Sequence, residues 1–507
     1  MSAPAPEAAP PADLVGALRQ RLGAAAEVLD VDVDDAGLDQ AAATSLLFTA
    51  LVERVHRDPG APSLWLLLTA LTAALPDADE MRTALRARDL HEASDFGAWL
   101  LSAGFEAAAS RGALGSEMDV VADTVVVDVD FTARHKLHTG IQRVVRETVP
   151  RWDRDHELTL AAWTEQGGAM RRLRDEEADR VLRWHEIVDH PDDDPGTELR
   201  RHRLLVPWRS ALLLPENPAP EHCSLLAALA VFSGTEVALI GHDLIPVISP
   251  EIIHAGLPDR FTRYLETVKH AHRVMAVSES AGREFRGFAS MLAAQGLPGP
   301  TVVVCPNAGE TPPGEASPQP RERPLVVSVG SFEPRKNQLT VLHAAEHLWR
   351  EGLDFELCFI GGGGWVTEAD TFLGRLRAEG RPIQQRTAIS DTELWQTLRD
   401  ARFSVFVSLH EGFGLPVAES LACGTPCLTT RHGSTREVGE GGGTVFVDPR
   451  DDLAVAAEMR RLLTDDDLIH RLRDEAARRP PRTWDDYARE SWAALVPSTP
   501  NGPGARA

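Results

Sequence analysis

The spacing of apolar residues changes once along the 507-residue chain. From Asp13, a residue suited to an N-cap, to about residue 110 the apolar positions follow a helical period in an Ala- and Leu-rich sequence. Residues 64–75 form the longest apolar stretch, and a proline lies on each side of it. From Asp123 onward, short β-branched runs alternate with helical patterns. The pattern predicts a helical N-terminal module followed by an α/β region with doubly wound parallel sheets.

The α/β region contains two series of predicted strands. The first series comprises residues 124–129, 158–163, 211–214, 236–241, 273–277 and 301–305, and the second comprises residues 325–329, 355–360, 383–386, 403–408, 427–429 and 444–447. Residues 184–203 are highly charged, which predicts an insertion or loop. Residues 308–324 are rich in Pro, Gly, Glu and Ser, which predicts a linker between two Rossmann-like domains.

These boundaries divide the chain into five segments. We predict a helical module with a disordered start over residues 1–118, a first Rossmann-like domain over 119–307, the linker over 308–324, a second Rossmann-like domain over 325–480, and a C-terminal helix and tail over 481–507. The helical module carries no sequence motif of catalytic chemistry. Its role stays open between packing against the rest of the protein and recognising a substrate or partner.

The net charge and the cysteines restrict the binding partners and the cellular compartment that we expect. The chain carries 76 acidic and 52 basic residues, a net charge of −24, which argues against general nucleic-acid binding. A local basic face, and with it a peripheral membrane contact, stays open, as does the oligomeric state. The five cysteines are scattered, without a disulfide framework or zinc spacing, and residues 64–75 are too few to span a bilayer. Because the N-terminus also lacks the pattern of a signal peptide, we predict a cytoplasmic protein.

One stretch combines open backbone with two carboxylates. The apolar run of residues 403–409 predicts a buried parallel strand, and Gly412 and Gly414 follow it, where they allow a tight turn with uncovered amides. Glu411 lies on the predicted loop, and Glu419 lies inside the helix that follows. Ligands bind at such carboxyl ends of strands in open α/β sheets. Carboxylates accept hydrogen bonds from hydroxyls and amides donate to oxyanions, so the pairing suits a polyol linked to phosphate.

A second stretch places two basic residues just before a predicted helix, where the helix N-terminus favours negative charge. Gly330 ends a predicted strand, and Arg335 and Lys336 precede a helix predicted to start near Asn337. Each basic side chain at an exposed helix N-terminus destabilises the helix by roughly 0.3–1 kcal/mol. An anion bound at that terminus makes the basic side chains favourable instead. Lys336 is one of only three lysines in the chain. The segment therefore predicts an anion site.

Further candidate residues follow other predicted strands. His242 and Asp243 directly follow residues 236–241, and Gly140 opens a helix after the first strand. Gly361 begins a four-glycine loop that lacks the spacing of dinucleotide dehydrogenases. The sequence Asp128-Val129-Asp130 has the Asp-x-Asp spelling of a metal site, but it ends a strand, and we predict that it shapes or caps the following turn.

The two main stretches resemble one known family. Glu411 and Glu419, separated by seven residues that include Gly412, Phe413, Gly414 and Leu415, resemble the E-x7-E motif of the retaining glycosyltransferases of family 4. Residues 329–337 are similar to the Arg-Lys diphosphate clamp of that family. The resemblance covers most of residues 123–495 and implies the GT-B fold, in which two Rossmann-like domains face a cleft. Val407 and His410 depart from it, since proline and an aromatic residue are common at these positions.

The resemblance implies a function and a set of site residues. It implies a metal-independent, retaining transfer of a sugar from a nucleotide-diphosphate sugar to a glycan or lipid-linked acceptor, without a cofactor. GDP-mannose is the first expectation for the donor, because the Glu-Pro-Arg-Lys-Asn sequence is similar to bacterial mannosyltransferases; UDP- and dTDP-sugars stay open. The implied catalytic residues are His242, Arg335, Lys336 and Glu411, and the implied donor-binding residues are Gly140, Gly330, Arg335, Lys336, Gly361, Gly412, Phe413, Gly414, Leu415 and Glu419.

Two rival interpretations accompany this hypothesis. The first is a non-catalytic protein on the same fold that binds a nucleotide sugar or acts as a scaffold, with the helical module as its working part. The second is a glycan phosphorylase, which would need a lysine for pyridoxal phosphate. Lys336 is the only lysine after residue 269, and it lies in the segment similar to the clamp. The presence of all the implied charged residues favours the transferase.

Overall fold

The computed structural model describes residues 13–137, 139–186, 203–311, 321–362 and 364–496. The predicted disordered start, most of the charged insertion, the centre of the linker and the end of the tail lie outside the described residues. The chain divides into two compact units. The first consists of Met1–Leu239, Arg263–Arg273 and Pro298–Pro300, and the second consists of Ile240–Thr262, Val274–Leu297 and Thr301–Ala507.

Over residues 13–117, five helices precede the first sheet. They are α1 (Leu14–Leu29), α2 (Gln40–Arg57), α3 (Ala61–Thr72), α4 (Ala78–Leu90) and α5 (Ala93–Arg111). Aspartates start three of these helices, and the Asp13 carboxylate accepts a hydrogen bond from the Gly16 amide at 2.8 Å. Asp77 and Glu80 form a capping box that satisfies two amides at the start of α4. Helix α3 is buried over its last ten residues, as its apolar sequence requires.

A buried arginine joins the helices to the segment that follows them. Arg21 is 1% exposed and donates hydrogen bonds to the carbonyls of Ala70 at 2.7 Å, Leu114 at 2.7 Å and Ser116 at 2.6 Å. The Gln20 side chain also exchanges two hydrogen bonds with the backbone of Met118. The helices are therefore packed as part of the first unit.

In the part of the chain that the structure describes, the first sheet has nine strands. They are β1 (Met118–Val121), β2 (Val125–Asp128), β3 (Leu158–Trp163), β4 (Met170–Arg172), β5 (Leu204–Pro207), β6 (Ala211–Leu214), β7 (Glu236–Gly241), β8 (Arg273–Ala276) and β9 (Thr301–Val304), in the order β1-β5-β4-β3-β2-β6-β7-β8-β9. The division between the two units passes through β7 and β8. Strand β4 is antiparallel to β3 and β5, so the expectation of a wholly parallel sheet is wrong here.

Helices α6 (Asp130–Arg134), α7 (Gly140–Asp155), α8 (Asp175–Leu182), α9 (Cys223–Phe232), α10 (Ile245–Ile248), α11 (Leu257–His270) and α12 (Glu279–Ala294) accompany this sheet. Strands β1, β4 and β5 were not predicted. Strand β4 has three residues and includes Arg171, whose buried guanidinium pairs with Glu177 at 2.7 Å. A short strand with a buried charge gives no hydrophobic pattern, so sequence periodicity does not reveal it.

The second sheet has six parallel strands. They are β10 (Leu325–Val329), β11 (Glu356–Ile360), β12 (Ile383–Arg386), β13 (Phe403–Phe406), β14 (Cys427–Thr430) and β15 (Thr444–Val447), in the order β12-β11-β10-β13-β14-β15. The accompanying helices are α13 (Gln338–Arg350), α14 (Thr367–Ala378), α15 (Asp391–Asp400), α16 (Leu415–Ala422), α17 (Gly433–Gly439), α18 (Asp452–Thr464), α19 (Asp466–Ala477) and α20 (Trp484–Leu495). This is the doubly wound order of nucleotide-binding sheets, and it reverses between β10 and β13.

Apolar residues on both faces of this sheet form its core. One face packs α13, α14, α18 and α19 around buried residues such as Phe355, Phe359 and Phe403. The other face packs α15 and α16. Among the described residues, no helix is both long enough and apolar enough to cross a membrane.

Candidate functional site

The two predicted stretches emerge side by side from the second sheet. Strands β10 and β13 are neighbours, with Val326 opposite Phe403 and Val327 opposite Ser404. The segment with Arg335 and Lys336 follows β10, and the segment with Glu411 follows β13. Because the strand order reverses here, the two segments diverge at the carboxyl end of the sheet and leave a crevice where ligands bind in this fold class.

A rigid turn presents Arg335 and Lys336. Pro334–Lys336 forms a 3-10 turn, and Asn337 follows it in the left-handed region with φ 59°. The Asn337 side-chain amide donates to the carbonyls of Val407 at 3.1 Å and Pro449 at 2.7 Å, which fixes this uncommon conformation. Helix α13 then starts at Gln338, which agrees with the predicted start near Asn337. The Arg335 carbonyl accepts a hydrogen bond from the Leu409 amide at 2.7 Å, so the turn is also tied to the loop after β13.

Glu411 lies between the two cations. Its carboxylate oxygens are 2.9 Å from a terminal nitrogen of Arg335 and 2.9 Å from Nζ of Lys336. The side chain is only 9% exposed. Burial would raise the pKa of Glu411, but Arg335 and Lys336 outweigh it and lower this pKa to about 2. The carboxylate is therefore ionised at neutral pH and compensates both cations.

The two cations differ in how firmly they hold their protons. Burial would lower the pKa of Arg335, but Glu411 and Glu333 raise it above its ordinary value, and the Glu333 carboxylate lies 2.8 Å from Arg335 Nε. Burial lowers the pKa of Lys336 despite the opposing effect of Glu411. Lys336 Nζ also lies 5.0 Å from the centre of the Phe406 ring. Arg335 is thus a fixed cation, and Glu411 opposes the effect of burial on Lys336.

The loop after β7 reaches the same place within the second unit. A β-carbon on Gly412 would overlap the carbonyl oxygen of His242, so only glycine allows this close approach. The Ser278 hydroxyl donates to the Gly412 carbonyl at 2.6 Å, and the Ser434 hydroxyl donates to the Glu411 carbonyl at 2.7 Å. Burial raises the pKa of Asp243, although Arg335 opposes the shift. His242 and Asp243 therefore lie beside the Glu411 loop, and His242 is buried.

The structure brings most of the predicted site residues into one region. His242, Arg335, Lys336, Glu411 and Gly412 meet as described. Gly330 and Gly361 lie on adjacent loops, and a β-carbon on Gly361 would overlap the backbone of Gly330. Phe413, Gly414 and Leu415 lead into α16, in which Glu419 is buried. Gly140 begins α7 in the first unit.

Several residues of this region were missed or given no role in the sequence analysis. Glu333 lies in the clamp segment itself, and the charge pattern of that segment would have pointed to it. Ser278 and Glu284 belong to α12 and its N-cap, Ser249 follows α10, and no local pattern indicates that these segments meet the Glu411 loop. His410 was noted only as a departure from the family pattern.

The two carboxylates of the Asp-x-Asp sequence accept hydrogen bonds from residues of the first unit. The Asp128 carboxylate accepts hydrogen bonds from Trp163 Nε1 at 3.0 Å and from the Asp130 amide at 3.1 Å. Asp130 accepts from the Trp163 amide at 2.8 Å and pairs with Arg134 at 2.7 Å. Burial raises the pKa of Asp128 to about 7. Among the described residues, no cluster of three or more His, Cys, Asp or Glu side chains could hold a metal ion.

Part of the second unit matches a known protein family. Residues 315–479 match the model of the family described as glycosyl transferases group 1. The chain is 27% identical over 317 residues to the serotype-specific mannosyltransferase WbdA of Escherichia coli, a match that covers 58% of this chain and 36% of that protein. The chain thus spans little more than a third of the length of this relative. It is also 26% identical over 370 residues to the GDP-mannose-dependent alpha-(1-6)-phosphatidylinositol monomannoside mannosyltransferase of Mycolicibacterium smegmatis, covering 67% of this chain and 89% of that protein.

Solved structures share the fold at low sequence identity. Sucrose-phosphate synthase from Thermosynechococcus elongatus superposes with a TM-score of 0.51 and 14% identity, covering 73% of this chain and 97% of that one. Anabaena HepE in complex with UDP and glucose superposes with a TM-score of 0.50 and 13% identity, covering 74% of this chain and 99% of that one. At this identity the likeness establishes the architecture alone.

Proposed function

Because the chain has the GT-B fold and carries a glycosyl transferases group 1 domain over residues 315–479, we propose that it is a glycosyltransferase of the family 4 type. It transfers a hexose from a nucleotide-diphosphate sugar to a glycan or lipid-linked acceptor, with retention of anomeric configuration and without a metal or cofactor. The chain acts in the cytoplasm in this proposal. Its acceptor and oligomeric state are not assigned.

One observation carries the proposal. Two partly buried cations, Arg335 and Lys336, converge on one carboxylate at the reversal point of a nucleotide-binding sheet. When a glycosidic bond to a diphosphate breaks, the leaving nucleoside diphosphate gains negative charge. Positioned donors aimed at such charge are worth about 10²–10³ in rate each. Arg335 and Lys336 stabilise the leaving group, and this positive charge supports a reaction without a divalent ion.

The neighbouring loops supply the sugar side of the site. The carbonyl of His242 lies against Gly412, next to Glu411, and in this proposal His242 contacts the transferred sugar, as the family resemblance implies. Glu411 accepts hydrogen bonds from sugar hydroxyls once a diphosphate occupies Arg335 and Lys336. Glu419 accepts from the ribose, and Gly330, Gly361 and Gly412–Leu415 let the backbone approach the donor.

The relatives support mannose as the transferred sugar. WbdA is named a mannosyltransferase, and the Mycolicibacterium smegmatis relative is named GDP-mannose-dependent. We therefore place GDP-mannose first among donors. HepE was solved with UDP and glucose, so UDP-sugars form the first alternative.

The test is a donor-hydrolysis screen of the full chain across GDP-, UDP- and dTDP-sugars, with the anomeric form of the released sugar read by NMR. We expect one donor class to be hydrolysed with retention. Lys336→Ala lowers turnover at least about tenfold, with a smaller effect on donor affinity, because the cation acts on charge that grows in the transition state. Lys336→Arg does not restore full activity, because a planar fork replaces a compact charge.

Lys269→Ala is the matched control, since Lys269 belongs to α11 and has no role in the proposed site. Normal turnover of Lys336→Ala would show that the Arg335–Lys336 turn is a surface feature. Donor binding without hydrolysis or transfer by the wild-type chain would instead support the non-catalytic, scaffold interpretation.

A further inference from the structure

A histidine connects two loops next to the proposed site. His410 precedes Glu411, and its Nε2 lies 2.7 Å from a carboxylate oxygen of Glu284, while its Nδ1 lies 2.9 Å from the Ser249 hydroxyl. The side chains of His410 and Glu284 are 18% and 12% exposed. Ser249 follows α10, and Glu284 lies in α12, so the imidazole joins three separate segments of the second unit.

Glu284 extends this connection to the loop that carries His242. Its second carboxylate oxygen accepts a hydrogen bond from the Leu244 amide at 3.0 Å. One carboxylate therefore holds the loop after β7 with one oxygen and the loop after β13 with the other. Helix α12 is itself fixed, because its N-cap Ser278 donates to the Gly412 carbonyl and the Glu279 amide donates to Glu437 at 2.9 Å.

Resting on the proposed function, we propose that His410 is a positioning residue which, through Glu284, holds residues 242–244 in register with the Glu411 loop. The distance from the Leu244 amide to the Glu284 carboxylate sets where the preceding His242 lies. His242 must meet the transferred sugar while Glu411 holds its hydroxyls, so the two loops need a fixed spacing. His410 has no contact with the donor in this role.

The hydrogen bonds are compatible with both charge states of His410. With the proton on Nε2, the neutral ring donates to Glu284 and accepts from Ser249. A second proton on Nδ1 gives the ring a positive charge. Three carboxylates face this charge: Glu284 on α12, Asp243 on the loop after β7 and Glu411 on the same loop as His410. Arg335 lies beside Asp243 and Glu411. Burial would lower the pKa of His410, but Glu284, Asp243 and Glu411 raise it above its ordinary value. The charge is thus retained below about pH 6.5 and lost as pH rises through the higher folded pKa.

Two substitutions separate the hydrogen bond from the ring. His410→Phe removes both polar contacts, whereas His410→Gln keeps an N–H group close to the position of Nε2. The matched control is His347→Phe, because His347 forms a His–Glu pair with Glu351 at 3.1 Å on α13, outside the site. Each full-length variant is measured by backbone hydrogen exchange over residues 242–249 and by kcat and donor KM across pH 5.5–9.

We expect His410→Phe to exchange faster over residues 242–249 and to lose about ten- to a hundredfold in kcat, with donor KM changed less than about threefold. His410→Gln keeps slow exchange and most of the activity, because its N–H group still donates to Glu284. Wild-type kcat does not fall as His410 deprotonates, because the neutral ring keeps the same hydrogen bond. His347→Phe matches the wild type in exchange and turnover.

Unchanged exchange in His410→Phe would overturn the proposal. So would a His410→Gln variant as impaired as His410→Phe, because that result would require the imidazole itself. The exchange measurement also separates this proposal from the proposed function. If the wild type turns over no nucleotide sugar, the transferase assignment fails, while faster exchange in His410→Phe still shows that His410 positions the loop.

Discussion

Glu411→Gln is expected to strengthen the binding of free nucleoside diphosphate while it weakens sugar transfer. The wild-type carboxylate lies 2.9 Å from both Arg335 and Lys336 and is ionised at neutral pH, since its pKa is about 2. A diphosphate entering the site must compete with it for the same N–H groups. Glutamine keeps the shape of the side chain and removes the competing charge.

The size of the effect follows from the charges. Two unit charges about 6 Å apart interact by about 3 kcal/mol at an effective dielectric constant near 20. Removing one negative charge next to a diphosphate therefore favours its binding by up to about a hundredfold. Loss of a charged hydrogen bond to the sugar lowers the rate of transfer by about ten- to a hundredfold.

Calorimetry with GDP and UDP at pH 7, beside initial rates with the donor found in the screen, measures both effects. Glu346→Gln is the matched control, because Glu346 also lies between two arginines, Arg350 at 2.6 Å and Arg375 at 2.7 Å, but on α13 away from the site. We expect the control to bind the diphosphates normally. Diphosphate binding at least about tenfold weaker in a folded Glu411→Gln variant would refute the competition, since it would mean that Glu411 builds the site rather than occupies it.

Three further predictions concern single features. Arg21→Ala leaves three carbonyls without their donor and should destabilise the first unit by about 2–5 kcal/mol in urea unfolding, whereas Arg19→Ala, which removes an exposed ion pair, should change it by less than about 1 kcal/mol. Gly412→Ala should lower turnover more than about tenfold, because its methyl group displaces the His242 loop, while Gly374→Ala, with nothing within 4 Å, should leave turnover unchanged. Activity should survive EDTA, because Asp128 and Asp130 already accept hydrogen bonds from Trp163; full inactivation restored by manganese would make that pair a metal site.

The fold could be predicted from sequence where each element follows one simple pattern. All six strands of the second sheet were predicted, the GT-B fold is confirmed, and residues 315–479 match the model of glycosyl transferases group 1. Strands β1 and β5 have four residues, like the predicted β6 and β9, but they border the helical module and the charged residues 184–203, whose patterns hide them. Strand β4 was missed because it has three residues and is stabilised by the buried Arg171–Glu177 pair rather than by an apolar period. The buried Arg21 was missed for the same reason, since an arginine in an Ala- and Leu-rich helix predicts a solvated side chain.

The site shows a different limit. Arg335, Lys336 and Glu411 were predicted as separate motifs, but their mutual pairing joins residues 75 or more positions apart, which no local pattern specifies. In the proposed function this pairing couples the binding of the donor's diphosphate to the binding of its sugar. The carboxylate of Glu411 compensates both cations and directs its two oxygens to them. When a diphosphate takes over Arg335 and Lys336, Glu411 is released to accept hydrogen bonds from the sugar. A free sugar without its diphosphate therefore meets an occupied carboxylate, so in this proposal the site selects the intact nucleotide sugar over the free sugar.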